Sequence, residues 1–353
     1  MSPELTSPDQ AEPPLLDNKA LYEHLNKVSR SFALTIPLMS NPLQEYVGLA
    51  YLICRIVDTV EDDAKASLED KINWLSDFSF LASDEFADLN VLTVLKERAL
   101  ELTQQGSAPD DVALIKDIEP TINLLLTYPE EVKKTICHAA AILSHGMAAA
   151  LRQQCDGEKI TSLDAVDNYC YFVAGVVGEM LAELFALFDQ KCDKRELLEL
   201  AVSFGEGLQL TNILRDRLKD EARGMSYLPA QNAEDVLNYV AITQGHLDDA
   251  VDFISKLSPK ESRGVRLFCF ANVIMAKYLL RQVARRPLDP QCNYQISRHT
   301  VKKLLILSHS AARSNTALRL ISFFISLGMK RQHRSARELR DKVSLWDHSS
   351  STN

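Results

Sequence analysis

Apolar residues recur at helical spacing along almost the whole chain, and no strand-rich block or internal repeat interrupts them. Leu21, Leu25, Val28, Phe32 and Ile36 set the pattern, and Pro37, which lacks a backbone N–H, stops it. Helical runs follow over residues 43–63, 68–104, 110–126, 130–155, 163–190, 195–221, 233–256, 259–285 and 299–327. Turn-forming clusters at Gly106 to Pro109, Tyr128-Pro129, Asp156-Gly157 and Arg286 to Pro290 punctuate them. With no low-complexity linker between the runs, the expected fold is all-α, a single-domain helical bundle over residues 19–330 around a central cavity. The Pro-rich residues 1–18 read as a disordered leader, and residues 331–353 as a polar, flexible tail.

The 353 residues suffice for a large core, and 46% hydrophobic content with only 12 glycines suits long helices. A net charge of -9 leaves no general basic field, so nucleic acid is not an expected partner and any anionic ligand needs local help. Seven cysteines without a CxxC pair argue against a disulfide framework or a zinc site, and a reducing cytoplasm is the simplest compartment. The leader has neither the basic start nor the apolar core of a secretory signal. The apolar part of TALRLISFFISLG is far shorter than the roughly 20 residues a membrane span needs, so no transmembrane segment is expected. The basic stretch from Lys330 to Arg340 leaves peripheral membrane contact open, against the alternative of a solvated helix end.

Two helices carry polar stripes inside apolar surroundings. In YLICRIVDTVEDD, Asp58 and Asp62 lie four residues apart, hence on one helix face, which Tyr51 and Arg55 extend. In GLQLTNILRDRLKDE, Gln209, Asn212, Asp216 and Asp220 follow steps of three, four and four, with Arg215 and Arg223 alongside. Buried carboxylates side by side repel unless a cation joins them. Carboxylate oxygens are the ligands that magnesium prefers, so two such helices facing each other across a cavity would hold Mg2+ ions able to neutralise diphosphates. One such stripe alone is more often a solvated acidic face; two of them, each with Arg at hand, favour the metal site.

At these segments the chain resembles the squalene and phytoene synthase family. Ser29-Arg30-Ser31-Phe32 is similar to that family's N-terminal SRSF segment, residues 58–63 read DTVEDD, and residues 169–178 read YCYFVAGVVG. The first acidic motif is closer to the DTxED of squalene synthases than to the DELVD of phytoene synthases. Phe268-Cys269 followed by Met275-Ala276 is similar to a further stretch of squalene synthases, with Asn272 and Val273 in place of proline and glutamine.

The resemblance implies an isoprenoid-synthase-type bundle in which Asp58, Asp62, Asp216 and Asp220, with Asn212, hold magnesium. It implies that Ser29, Arg30, Ser31, Phe32, Tyr51, Arg55, Gln209, Arg215 and Arg223 meet prenyl diphosphate substrates. Val173 and Gly175 belong to a helix whose small residues leave room either for an isoprenoid chain or for a close neighbouring helix. Tyr169 is either a catalytic phenol steering a carbocation or a proton, or a buried structural tyrosine. Phe268 is the weak candidate for contact with NADPH, since no GxGxxG follows a strand anywhere in the chain. The implied activity joins two farnesyl diphosphates head to head through presqualene diphosphate and reduces the product to squalene. The alternatives are a non-reductive synthase making presqualene diphosphate, dehydrosqualene or phytoene, and a catalytically silent assembly or binding protein. Three positions depart from the squalene synthase pattern: Phe172, Lys219 and Met225.

Overall fold

The computed structural model describes residues 14–29, 31–222, 225–289 and 294–347, and they form helices with no strand among them. The expectations placed on Arg30 and Arg223, and on residues 1–13 of the leader, lie outside the described residues.

Helices α1 (Asn18–Val28), α2 (Phe32–Thr35) and α3 (Leu43–Asp62) open the bundle. The run expected at 68–104 divides into α4 (Leu68–Ser83) and α5 (Leu89–Thr103). No glycine or proline marks that break. The chain reverses through Glu85 and Phe86, whose φ values of 52° and 57° are left-handed, and Asp88 caps the new helix with bonds from the N–H groups of Asn90 and Val91. Phe86 offsets its backbone conformation by burying its ring against Phe78 at 5.5 Å. The run at 110–126 likewise becomes α6 (Pro109–Lys116) and α7 (Ile118–Leu126), hinged at Asp117.

Next come α8 (Glu130–Cys155), α9 (Leu163–Cys170) and one π-helical turn over Tyr171–Gly175 that runs into α10 (Val176–Phe188). Beyond them lie α11 (Lys194–Ala222), α12 (Ala233–Lys256) and α13 (Arg263–Arg285), then α14 (Arg298–Ala311) and α15 (Asn315–Ile325), which Ser314 separates by capping the second of the pair.

Helix α11 runs through the core between α10, α12 and α13. Its approach to the preceding layer is backbone to backbone: a Cβ on Gly205 would stand 2.2 Å from the Ala174 carbonyl oxygen, and one on Gly178 would stand 2.1 Å from that of Ala201. The small residues around 174–178 therefore serve close helix packing at these two positions. Two stretches, Leu163–Phe188 and Arg263–Arg285, are long and apolar enough to cross a membrane, but 56% and 78% of their apolar windows are buried inside this bundle.

The tail departs from expectation. Residues 336–343 form a further helix, α16 (Ala336–Val343), packed on α11 and α9, with Leu339, Val343 and Trp346 buried. The reason is electrostatic. Asp167 of α9 and Glu179 of α10 are fully buried acids, and the tail supplies their cations. Arg334 clasps Asp167 through two bonds of 2.8 and 2.5 Å, and Arg340 donates to Glu179 at 2.7 Å. Ser344 Oγ also donates to Glu179, and the Leu345 N–H to Tyr171 Oη, both at 2.8 Å. Just before α1, Leu16 is buried, and its N–H reaches the Pro120 carbonyl at 3.0 Å.

Candidate active site

Helix α3 places its stripe as its periodicity requires. Leu52, Ile53, Ile56, Val57 and Val60 are buried, so Tyr51, Arg55, Asp58 and Glu61 share the remaining, half-buried side, and Asp62 is exposed at the helix end. Arg55 donates to both oxygens of Asp111, Nε and Nη2 each at 2.9 Å, a fork that only a guanidinium makes. Burial opposes the Arg55 charge, but Asp111, with help from Asp58, more than offsets it and the pKa rises.

Asp58 has no such partner. Burial first, then the charge of Asp62, pushes its carboxyl up to about 7. Glu61, one helical step on, is pushed up to about 8 by burial and by Asp62, with Lys71 acting in the opposite sense. Lys71 spans to the helix end, its ammonium donating to the Glu61 carbonyl at 2.7 Å. Asp63, the last acid of DTVEDD, turns away and organises the next loop: it accepts from the N–H groups of Lys65 and Ala66 and from Ser107 Oγ at 2.7–2.9 Å. Burial works against its charge, but these bonds hold its pKa below the usual range. Gly106 sits against that clamped carboxylate, where a Cβ would lie 2.3 Å from Oδ1.

On α11, Gln209 is half-buried and Asn212 exposed, on the side that carries Asp216 and Asp220. Asp216 is held by its own helix: Arg215 Nε donates at 2.8 Å, with Nη2 closer still, and Lys219 Nζ donates at 3.1 Å. Burial raises its pKa, yet these two cations outweigh it and the net shift is downward. The departure at Lys219 thus has a visible consequence, since it supplies a cation to one of the expected metal ligands. Met225 donates its N–H to the Asp220 carbonyl and accepts Tyr227 Oη on its sulfur at 3.3 Å.

Tyr227 joins the two helices. Its ring stacks on Tyr169 with centroids 4.9 Å apart, and the two phenols share a hydrogen bond. Burial, then Glu61 and Asp62 of α3, then Asp220 of α11 raise the Tyr227 pKa, so one phenol senses the acids of both stripes. Tyr169 is raised well above 10 by burial and by Tyr227. Both remain neutral donors at any physiological pH. Behind them, Val173 and Phe172 in the π-helical turn are half-buried, and the Phe172 ring fills the space over Gly146, where a Cβ would strike it at 2.0 Å. Gly175 adjoins Tyr171 and Val202, whose atoms a Cβ would meet at 2.9 and 3.3 Å.

The N-terminal segment closes one side. Phe32 packs on Tyr51 at 5.3 Å and on Phe268 at 6.2 Å, so three residues from distant parts of the sequence meet. Ser29 spends its hydroxyl capping α2, accepting from the N–H groups of Phe32 and Ala33, while Ser31 stays exposed. Phe268 is 2% exposed, enclosed by Phe32 and Phe185, and has no surface to offer a nicotinamide. Asn272, the residue in the proline position, ties α13 to α2 through Thr35 Oγ1 at 3.1 Å.

No three of these acids close on one point among the described residues. The donor set still suits a hard divalent ion: all oxygen, with Asp58 and Glu61 left short of cations and ready to exchange protons for metal. Asp111, Glu61, Lys71 and Tyr227 were not picked out by the sequence. Glu61 had a signal, its three-residue step from Asp58; Asp111 and Tyr227 are defined only by what folds against them.

Residues 25–302 match the family model described as squalene/phytoene synthase. A squalene synthase of Schizosaccharomyces pombe is 27% identical over 81% of this chain and 64% of its own length. That of Mus musculus is 30% identical over 73% of this chain and 62% of its own. The chain thus spans less than two thirds of the length of these curated relatives. Among solved structures, TcSQS with a bound ligand superposes with a TM-score of 0.72 over 94% of this chain and 97% of that one, at 20% identity, which speaks for the fold. A dehydrosqualene synthase complex reaches 0.53 over 83% and 95%, at 18% identity.

Proposed function

The chain belongs to the squalene/phytoene synthase family, and from that premise we propose that it condenses two farnesyl diphosphates head to head, through presqualene diphosphate, to squalene. The observation that carries this reading is the stacked Tyr169–Tyr227 pair, whose Tyr227 phenol is pushed up by Glu61 and Asp62 of α3 and by Asp220 of α11. A scaffold or silent binding protein has no use for acids left short of cations beside two neutral phenols.

In this reading Asp58, Asp62, Asp216 and Asp220, with Glu61 and Asn212 beside them, hold magnesium. Bound there, magnesium neutralises diphosphate and makes it a better leaving group. Arg55 and Arg215 offer forked donors to the diphosphate oxygens, exchanging Asp111 and Asp216 for the substrate. Ser31, Tyr51 and Gln209 are assigned to the same substrate. Tyr169 and Tyr227 present electron-rich rings and phenol protons that position a cationic prenyl chain and exclude water. The half-buried Phe172 and Val173 supply apolar wall. NADPH is the reductant the final step requires. Phe268 does not fit a site for it, and no step is derived through the nicotinamide.

The test is incubation of the purified protein and magnesium with farnesyl diphosphate, with and without NADPH, and identification of the lipids formed. Squalene that forms only with NADPH supports the proposal. Dehydrosqualene or presqualene diphosphate in both tubes replaces it with the non-reductive synthase, and no condensation product in either tube refutes it.

A further inference from the structure

Between Asp289 and Glu338 the sequence holds nine Lys and Arg residues and no Asp or Glu, in a chain whose net charge is -9. Most of that stretch is the α14–α15 hairpin. Helix α14 turns Leu304, Ser308 and Ala311 inward, α15 turns Leu318 and Ser322 inward, and both pack on α13. Their opposite faces therefore turn outward together. There Leu320, Phe323, Phe324 and Leu327, spaced i, i+3, i+4 and i+7, form one stripe in which every side chain is more than half exposed, and Ile306 is 66% exposed on the neighbouring helix. Single exposed apolar residues are ordinary, but a contiguous aromatic and aliphatic stripe marks an interaction surface.

The basic residues sort into two groups. Arg334 turns inward to Asp167, Arg337 pairs with Asp341 at 3.9 Å, and Arg319 and Arg331 lean on Asp252 and Asp248 of α12 at 3.0 and 3.7 Å. Arg298, Lys302, Lys303, Arg313 and Lys330 are exposed and make no ion pair among the described residues. The hairpin is rigidly mounted. The buried Arg266 donates to the Ala312 carbonyl and to Asn315 Oδ1, both at 2.8 Å, and to two carbonyls at the end of α12.

We infer that the outer face of α14–α15 docks on an anionic phospholipid bilayer, with Leu320, Phe323 and Phe324 at the acyl boundary and the unpaired lysines and arginines over the headgroups. An apolar stripe flanked by cations is the pattern of an interfacial helix. Each cation near such a surface multiplies the partition coefficient by a factor of about five. A second copy of the chain is the poorer occupant, because two such faces would oppose like charges. Of the basic stretch 330–340 that the sequence singled out, Arg334 and Arg340 are spent inside the fold, which leaves Lys330 to add to the outer face. Docking stands on this surface alone; its benefit, delivery of a hydrocarbon product into lipid, rests on the function proposed above.

The test is sedimentation of the full chain with phosphatidylcholine vesicles, with and without phosphatidylglycerol, at low and high salt, a readout that needs no turnover. The wild type is expected to sediment with the anionic vesicles only and to be released by salt. F323S/F324S should lower partitioning by about tenfold or more. K302E/K303E should abolish the preference for phosphatidylglycerol, and both variants should retain wild-type turnover of detergent-dispersed substrate. Wild type left in the supernatant at low salt overturns the inference, as does unchanged sedimentation of both variants. A dimer that F323S/F324S splits, without vesicle binding, assigns the face to self-association instead.

Discussion

Asparagine at position 58 keeps the shape of the native side chain and removes its charge, which makes it a direct probe of the acidic stripe. Burial, with Asp62 beside it, pushes the Asp58 carboxyl up to about 7 in the fold from the usual 3.8. A folded pKa raised above the unfolded one means that the unfolded chain ionises first as pH climbs. Stability from this group is intact below about 4, declines through the interval, and is fully lost above about 7. Three units correspond to about 4 kcal/mol, which we halve to about 2 for the side chain's residual solvent access. For a chain of this length, with an unfolding entropy of about 0.7 kcal/mol per degree, that is roughly 3 °C. In EDTA at pH 8.5, Asp58→Asn should therefore melt about 3 °C above wild type, at pH 5 about 1 °C above it, and below pH 4 the two should nearly coincide. Condensation activity should be lost at both pH values. Thermal melts across that pH range decide the matter: parallel curves, or a variant that melts below wild type at high pH, would show that Asp58 is not left without a compensating cation.

Three other substitutions follow from the same geometry. Arg55→Lys keeps the charge but not the fork to Asp111, and should lower kcat/KM by about 10-fold to 100-fold with little loss of secondary structure, checked by steady-state kinetics and circular dichroism. Lys219→Ala removes a cation 3.1 Å from Asp216 and should lower the magnesium concentration that half-saturates activity by several-fold; an unchanged requirement would separate Asp216 from the metal. Gly205→Ala drives a Cβ to within 2.2 Å of a backbone oxygen that cannot rotate away, and should cost about 3 kcal/mol in urea unfolding or prevent folding.

What could be read from the sequence was whatever one helix determines by itself. The stripe of Tyr51, Arg55 and Asp58 needed only a period of 3.6 and apolar neighbours, and it stands where that period puts it. The breaks at Asp88 and Ser314 were missed because side-chain caps, not glycine or proline, end those helices. Asp111 could not be identified because its partner lies 56 residues away. The tail escaped for a related reason: its arginines read as solvated charge because their partners Asp167 and Glu179 stand 167 and 161 residues away. A signal did exist there. Of the five acids within the mostly apolar run 163–190, those that fold into the core require cations from somewhere, and a basic segment that follows is a natural donor.

That same pairing bears on the site. The π-helical turn at Tyr171–Gly175 lies between two polar layers, with Tyr169 and Tyr227 stacked in one of them. On the other side, Tyr171 Oη donates to Glu179 at 3.1 Å, and Arg340, Ser344 and the Leu345 N–H complete that cluster. A π turn carries poorer backbone geometry than an α turn and needs support from its surroundings. Here the support comes from a segment 160 or more residues later in the chain, held by charge-assisted bonds that are worth most where water is excluded. The position of Tyr169 relative to the α3 acids is therefore set jointly by the motif that contains it and by the C-terminal arginines behind that motif, so the segment 334–346 belongs to the architecture of the site although none of its side chains faces the acids of α3.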